Sequence, residues 1–209
     1  MKILLIGDLM GKPGRWAVSQ LLPDLKKTHQ IDFVIANVEN AAGGFGLTKE
    51  IASKVYSYGV NVLTSGNHIW DRKEIYEYLN KEPNILRPAN YPARDPGKGS
   101  VVYQLKDGTK IGVLNIQGRV YMKEIDCPFR TADQEIEKLK AETNLIIVDV
   151  HAEATSEKMA GLVSGWTGIR GYRHTYSRSD RRRDHPARRD CIHHGRRDDW
   201  RTQLGHRNY

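Results

Sequence analysis

Cysteine is nearly absent. Cys127 and Cys191 are the only two in 209 residues, too few for a disulfide framework or a Cys-rich zinc site, and in keeping with a reducing compartment. Long apolar runs are missing too: hydrophobic residues make up 39% and charged residues 28%, and no stretch approaches the roughly 20 apolar residues that span a bilayer. A membrane protein is excluded at this level. The opening Met1 to Gly7 is too short, and too soon interrupted by Asp8, for a secretory leader, so the expected location is the cytoplasm. Phosphate-loop signatures are lacking as well. Gly7 to Gly14 reads Gly-Asp-Leu-Met-Gly-Lys-Pro-Gly, without the spacing of a Walker loop or of Gly-x-Gly-x-x-Gly, and Pro13 and Gly14 are better suited to starting a helix.

The charge is uneven. Residues 1 to 160 hold 21 basic and 20 acidic groups, whereas 161 to 209 hold 12 and 5, and this second part contains 12 Arg and 5 His but no Lys and no Glu. Composition therefore breaks near residue 160, which divides the chain into a domain over 1–160 and an Arg-rich segment over 161–209. Clustered guanidinium groups are ordinarily read as a nucleic-acid contact or an extended arm, because they neutralise phosphates and release counterions.

Before the break, hydrophobic patterning alternates strand and helix. Lys2 to Gly7, Phe33 to Asn37 and Val62 to Ser65 are short apolar runs of the kind that form buried parallel strands. Helical spacing follows at 15–28 (Trp16, Leu21, Leu22, Leu25), at about 48–58 with Thr48 as its cap, and from Asp71 to Leu79. This β-α-β-α-β-α rhythm predicts an α/β fold with a mainly parallel sheet. Beyond residue 100 the pattern changes. Val101 to Leu105 and Ile111 to Gln117 flank an Asp107-Gly108 turn, which predicts an antiparallel hairpin and a second sheet region. A helix at about 132–142 then leads into the strand Leu145 to Val150.

Four of these strands end in polar groups: Asp8, Glu39-Asn40, Asn67-His68 and His151. Ligands of open α/β sheets collect outside the carboxyl ends of strands, and a set mixing carboxylate, amide and imidazole suits hard or borderline divalent cations. Glu39 has two oxygens and could bridge a pair of them. Each residue alone has an ordinary reading: Asp8 as a cap, Asn67 as a turn residue, either histidine as a satisfied surface partner. Their joint placement after successive strands is what favours chemistry. The Gly-rich stretch 43–46 reads as a mobile rim over the site.

Gly7-Asp8, Val38-Glu39-Asn40, Gly66-Asn67-His68 and His151-Ala152-Glu153-Ala154-Thr155-Ser156-Glu157-Lys158 resemble the YmdB-like metallophosphoesterases, a branch of the calcineurin-like superfamily, over essentially all of residues 1–160. Like that branch, the chain has Asp8-Leu9-Met10 where the wider superfamily has Asp-x-His. The resemblance implies a metallophosphoesterase-type β-sandwich flanked by helices, a binuclear centre of two divalent ions, iron or manganese, and hydrolysis of phosphodiesters such as 2′,3′-cyclic nucleotides, with an RNA-related substrate within reach and a homo-oligomer left open. By position, Asp8 would hold one metal, Glu39 would bridge, Asn40, Asn67 and His151 would hold the other, and His68 would protonate the leaving oxygen or stabilise the transition state.

The family also takes two histidines from a later Gly-Thr-His-Thr-His segment. Where it should fall, this chain has Arg173-His174-Thr175-Tyr176. Permitted codons for Gly161 to Ser177, read one base later and borrowing the first base of Arg178, can spell GWYLDGRVSAVTGTHTH, the family's continuation. The same shift over Arg188 to Gly205 can spell GGTAYITDAGMTGGPNSV. Two long stretches agreeing in one register point to a single-base insertion near codon 160, in the gene or in its sequencing. The expectation is a poorly ordered, out-of-frame segment over 161–209, an incomplete C-terminal part of the fold and an impaired enzyme. The alternatives are a non-catalytic nucleic-acid-binding remnant using the Arg-rich segment, or a purely structural one.

Overall fold

The structure is a computed structural model, which describes residues 1–158 and the backbone of 169–174. Its elements run β1 (Ile3–Ile6), α1 (Gly11–His29), β2 (Phe33–Asn37), α2 (Lys49–Ser57), β3 (Val62–Thr64), two 3-10 turns (Asn67–Asp71 and Lys73–Ile75), α3 (Tyr76–Lys81), β4 (Ser100–Gln104), β5 (Lys110–Gln117), α4 (Pro128–Lys140), β6 (Ile146–His151) and β7 (Ile169–His174). The result is a mixed α/β fold with two small sheets. One is β1-β2-β3, parallel throughout; the other is β4-β5-β6-β7, antiparallel at β4/β5 and parallel beyond. Among the described residues, no helix is long and apolar enough to cross a membrane. Apart from β7, the segment 161–209 with its expected out-of-frame reading lies outside the described residues.

Burial explains why the apolar runs become strands. All five residues of β2 are buried, as are all six of β6, and each fully buried Val, Leu or Ile side chain contributes about 1.5–3 kcal/mol. One apolar cluster draws Phe33, Ile35 and Val62 from the first sheet together with Ile111, Val113 and Ile147 from the second. A second cluster packs Leu22, Ala52 and Val55 of α1 and α2 against Val34, Ala36 and Leu63. A third sets Ala132, Ile136 and Leu139 of α4 against Leu114, Ile116, Val148 and Val150.

The helix expected at 15–28 lies within α1, while the one expected over 71–79 needs correction. The apolar spacing of α1 is helical, yet only Leu22 of the four residues is core; Trp16 and Leu21 are 65% and 59% exposed. Leu22 and Val18, four residues apart, form the stripe that packs inward, and spacing alone does not say which stripe meets a sheet. The single helix expected over 71–79 is broken at Arg72, which is extended (φ −119°, ψ 103°) between the 3-10 turns. Its guanidinium donates to Ala42 O at 3.3 Å and Phe45 O at 3.4 Å, so a tertiary contact overrides the helical pattern. The Gly-rich stretch that receives it is itself tied down. Ala42 N donates to Gly46 O at 2.9 Å and Gly44 N to Asn40 O at 3.1 Å, with Gly43, Gly44 and Gly46 all at positive φ.

Candidate metal centre

Asp8, Glu39-Asn40 and Asn67-His68 follow the carboxyl ends of β1, β2 and β3, and His151 is the last residue of β6. Parallel pairing puts the first three ends on one sheet edge. From the second sheet, β6 delivers His151 to the same place, and all six residues that the sequence nominates join one contact network.

Glu39 is its hub. The carboxylate is 1% exposed; Oε1 accepts from Asn40 Nδ2 at 3.2 Å and faces His151 Nε2 at 3.4 Å, while Oε2 accepts the backbone N–H of His68 at 3.2 Å. Asn40 Nδ2 also donates to Asp8 Oδ2 at 2.7 Å. Across the hub, His151 Nε2 meets Asn67 Oδ1 at 3.1 Å. Burial, and then the charge of Asp8, push the Glu39 carboxyl up from 4.5 to about 8. Burial raises Asp8 as well, against the opposing effects of Asn40 and His68. Two acids forced together out of water favour a proton, or a cation in its place.

Three features beyond the nominated residues complete the site. Gly66 precedes the Asn67-His68 pair, and a Cβ there would lie within 3 Å of both Glu39 Oε2 and the His151 ring, so only glycine lets the two sheets close on Glu39. Asp71 Oδ2 lies 2.7 Å from His68 Nδ1. A carboxylate there favours the tautomer that carries its proton on Nδ1. Beneath the site, Asp149 on β6 is 2% exposed, and burial, partly offset by the Thr64 and Asn37 side chains, raises it to about 6. Asn37 Oδ1 in turn accepts the Glu39 N–H at 3.1 Å. The His68-x-x-Asp71 spacing and the glycine of Gly66-Asn67-His68 were the available sequence signals; the buried seam had none.

By donor chemistry the residues suit divalent cations. Among the described residues no group of three or more His, Cys, Asp and Glu side chains is gathered as a metal site. A cation here therefore depends on the amide oxygens of Asn40 and Asn67 alongside Asp8, Glu39 and His151, a largely oxygen set that suits hard or borderline ions.

Comparison with known proteins identifies the family. Residues 4–165 match the family described as YmdB-like protein. The chain is 45% identical over 166 residues to a Bacillus subtilis protein named 2′,3′-cyclic-nucleotide 2′-phosphodiesterase, covering 79% of this chain and 61% of that protein. It thus spans about three-fifths of the length of that relative. Among solved structures, a hypothetical protein from Thermus thermophilus is 40% identical with a TM-score of 0.74, over 82% of this chain and 67% of that one. A Mycoplasma pneumoniae structure described as a novel phosphatase is 33% identical with a TM-score of 0.73, over 81% and 61%. By the match over residues 4–165 and the identity to these relatives, this chain belongs to the YmdB-like family.

Proposed function

We propose that this chain carries the site of a metal-dependent phosphodiesterase acting on 2′,3′-cyclic nucleotides and related phosphodiesters, on a two-sheet metallophosphoesterase sandwich. The observation that carries the reading is the convergence on Glu39 of Asn40, the His68 backbone and His151, with Asp8 and Asn67 one hydrogen bond further out. Asp8 would hold one ion, Asn40, Asn67 and His151 would hold a second, and Glu39 would serve both. When bound, a pair of iron or manganese ions supplies Lewis-acid polarisation of the phosphoryl group and hydroxide near neutral pH.

The chain's own residues do the rest. Asn40 donates its amide nitrogen to both Asp8 Oδ2 and Glu39 Oε1, which ties the two carboxylates together. In hydrolysis a water oxygen bonds to phosphorus while one P–O ester bond breaks, and the departing ribose oxygen needs a proton. His68, oriented by Asp71 through Nδ1, donates that proton from Nε2. Because a cation takes the place of the proton that Glu39 holds up to about pH 8, occupancy rises with pH.

The same reading makes this chain an impaired member. Segment 161–209 stands where the family's two further histidines are expected, and we attribute its composition of 12 Arg with no Lys to a one-base shift near codon 160. Its Arg content is then codon arithmetic and not selection for phosphate. The test is to delete the extra base and compare both proteins for manganese per chain and turnover of 2′,3′-cyclic AMP. The repaired protein is expected to hold two ions and turn over, and this chain to hold fewer with little or no turnover. Equal inactivity of both would overturn the reading, as would a locus and transcripts with no extra base. RNA binding that is lost on deleting 161–209, without metal-dependent turnover in either protein, would favour the nucleic-acid-binding remnant.

A further inference from the structure

The segment after β5 begins at the candidate centre. Gln117 pairs in register with His151, and Gly118 N donates to His151 O at 2.8 Å. Arg119, Val120 and Lys123 of this segment wall a cleft of about 830 Å³, within the size range of small-ligand sites. On its floor Tyr91 donates its hydroxyl to Gln117 Oε1 at 3.2 Å, and Lys123 Nζ lies 5.9 Å from its ring centre.

Two observations have no explanation in packing or in the metal centre. Glu157, near the end of the His151–Lys158 motif, accepts the backbone N–H groups of Arg119 at 2.9 Å and Val120 at 3.2 Å. A Cβ on Gly118 would overlap the Glu157 carboxylate. The wall of the cleft is thus clamped to the element that follows His151. Between two lining residues, at the rim, Tyr121 is 91% exposed with φ of +63°, a backbone region that bulky aromatic residues rarely occupy. An aromatic ring held out into solvent between Arg119 and Lys123, on a clamped loop beside a candidate phosphodiester site, matches the way single-stranded nucleic acids are bound, with bases on aromatic platforms beside cationic groups.

Resting on the phosphodiesterase reading above, we infer that this cleft is a subsite for the nucleotide adjoining the scissile phosphate, so that the preferred substrate is the 3′ end of a single-stranded RNA carrying a 2′,3′-cyclic phosphate. Tyr121 stacks on the penultimate base and Lys123 faces the internucleotide phosphate. The cleft is not a general polyanion site. Its three cations, Arg94, Arg119 and Lys123, stand beside four lining carboxylates, those of Asp95, Glu124, Asp126 and Glu157. Stacking must therefore supply most of the affinity, and Tyr121 is the residue to test.

The experiment uses the full chain, treated with chelator so that ligand is not consumed, in roughly 0.3 M salt to suppress charge-driven binding by the Arg-rich segment. Binding is measured for 2′,3′-cyclic AMP and for a ribotrinucleotide ending in a 2′,3′-cyclic phosphate. The trinucleotide is expected to bind about tenfold tighter, and Tyr121→Ala to abolish that advantage, since one base stack is worth a factor of roughly 5 to 150, while leaving the mononucleotide unaffected. Trinucleotide binding that is absent, no tighter than the mononucleotide, or unchanged in Tyr121→Ala overturns the inference. The two readings fail separately. A frame-repaired protein that hydrolyses 2′,3′-cyclic AMP, without any Tyr121-dependent preference for the trinucleotide, sinks the subsite alone. Tyr121-dependent binding with no hydrolysis after repair sinks the phosphodiesterase alone.

Discussion

Glu39 concentrates the electrostatics of the site in one carboxyl group. Burial and Asp8 raise it to about 8, so the folded chain holds this proton more tightly than the unfolded chain, whose Glu titrates near 4.5. Such a group contributes its full stability below about 4.5 and loses it as pH climbs through about 8. Chelator-treated protein is therefore expected to lose stability between those values, and Glu39→Gln to flatten that dependence, as urea unfolding at several pH values will reveal. A cation substitutes for the same proton, so manganese added at pH 7 should release protons in calorimetry performed in two buffers. Unchanged pH dependence in Glu39→Gln would remove Glu39 from the hub. At this scale the sequence is informative wherever a hydrophobic run stops at a polar residue: Asp8, Glu39, Asn67 and His151 are all legible that way. Gly66 is less so, since its role depends on the closeness of His151, which arises only once the two sheets meet; Asp71 is marked only by its three-residue spacing from His68.

At the level of elements, the site depends on two sheets meeting in register, and a pair of hydrogen bonds pins them. Asn115 on β5 accepts from Ser65 N at 3.1 Å and donates to Ser65 O at 3.0 Å, while Ser65 Oγ donates to Leu86 O at 2.7 Å. All this polarity is buried. Asn115→Ala leaves both Ser65 backbone groups without these partners and is expected to cost about 2–6 kcal/mol, at about 1–3 kcal/mol per orphaned group, and to weaken metal binding because Gly66 and Asn67 follow directly. Denaturant midpoints together with manganese affinity check it; a change under 0.5 kcal/mol would mean the sheets are held elsewhere. The strands and the β4/β5 hairpin are readable from sequence because period and turn chemistry are local. The break at Arg72 and the exposed stripe of α1 are not, because each is decided by a distant partner: the 42–45 loop in one case, the sheet in the other.

For the whole molecule, the formal charge of +8 conceals a body that is nearly neutral, with 21 basic and 20 acidic groups over 1–160. Family membership rests on that body, since the match ends at residue 165. The candidate site is legible there because its residues, remote from one another in sequence, each follow a strand end; the clamped Gly118–Asp126 segment leaves no such mark, its arrangement depending on Glu157. The most direct test of the centre is anomalous diffraction at the manganese edge from crystals of the frame-repaired protein. Two peaks flanking Glu39, one beside Asp8 and the other reached by Asn40, Asn67 and His151, are the predicted result. Fully loaded protein with its manganese bound away from these residues would contradict it.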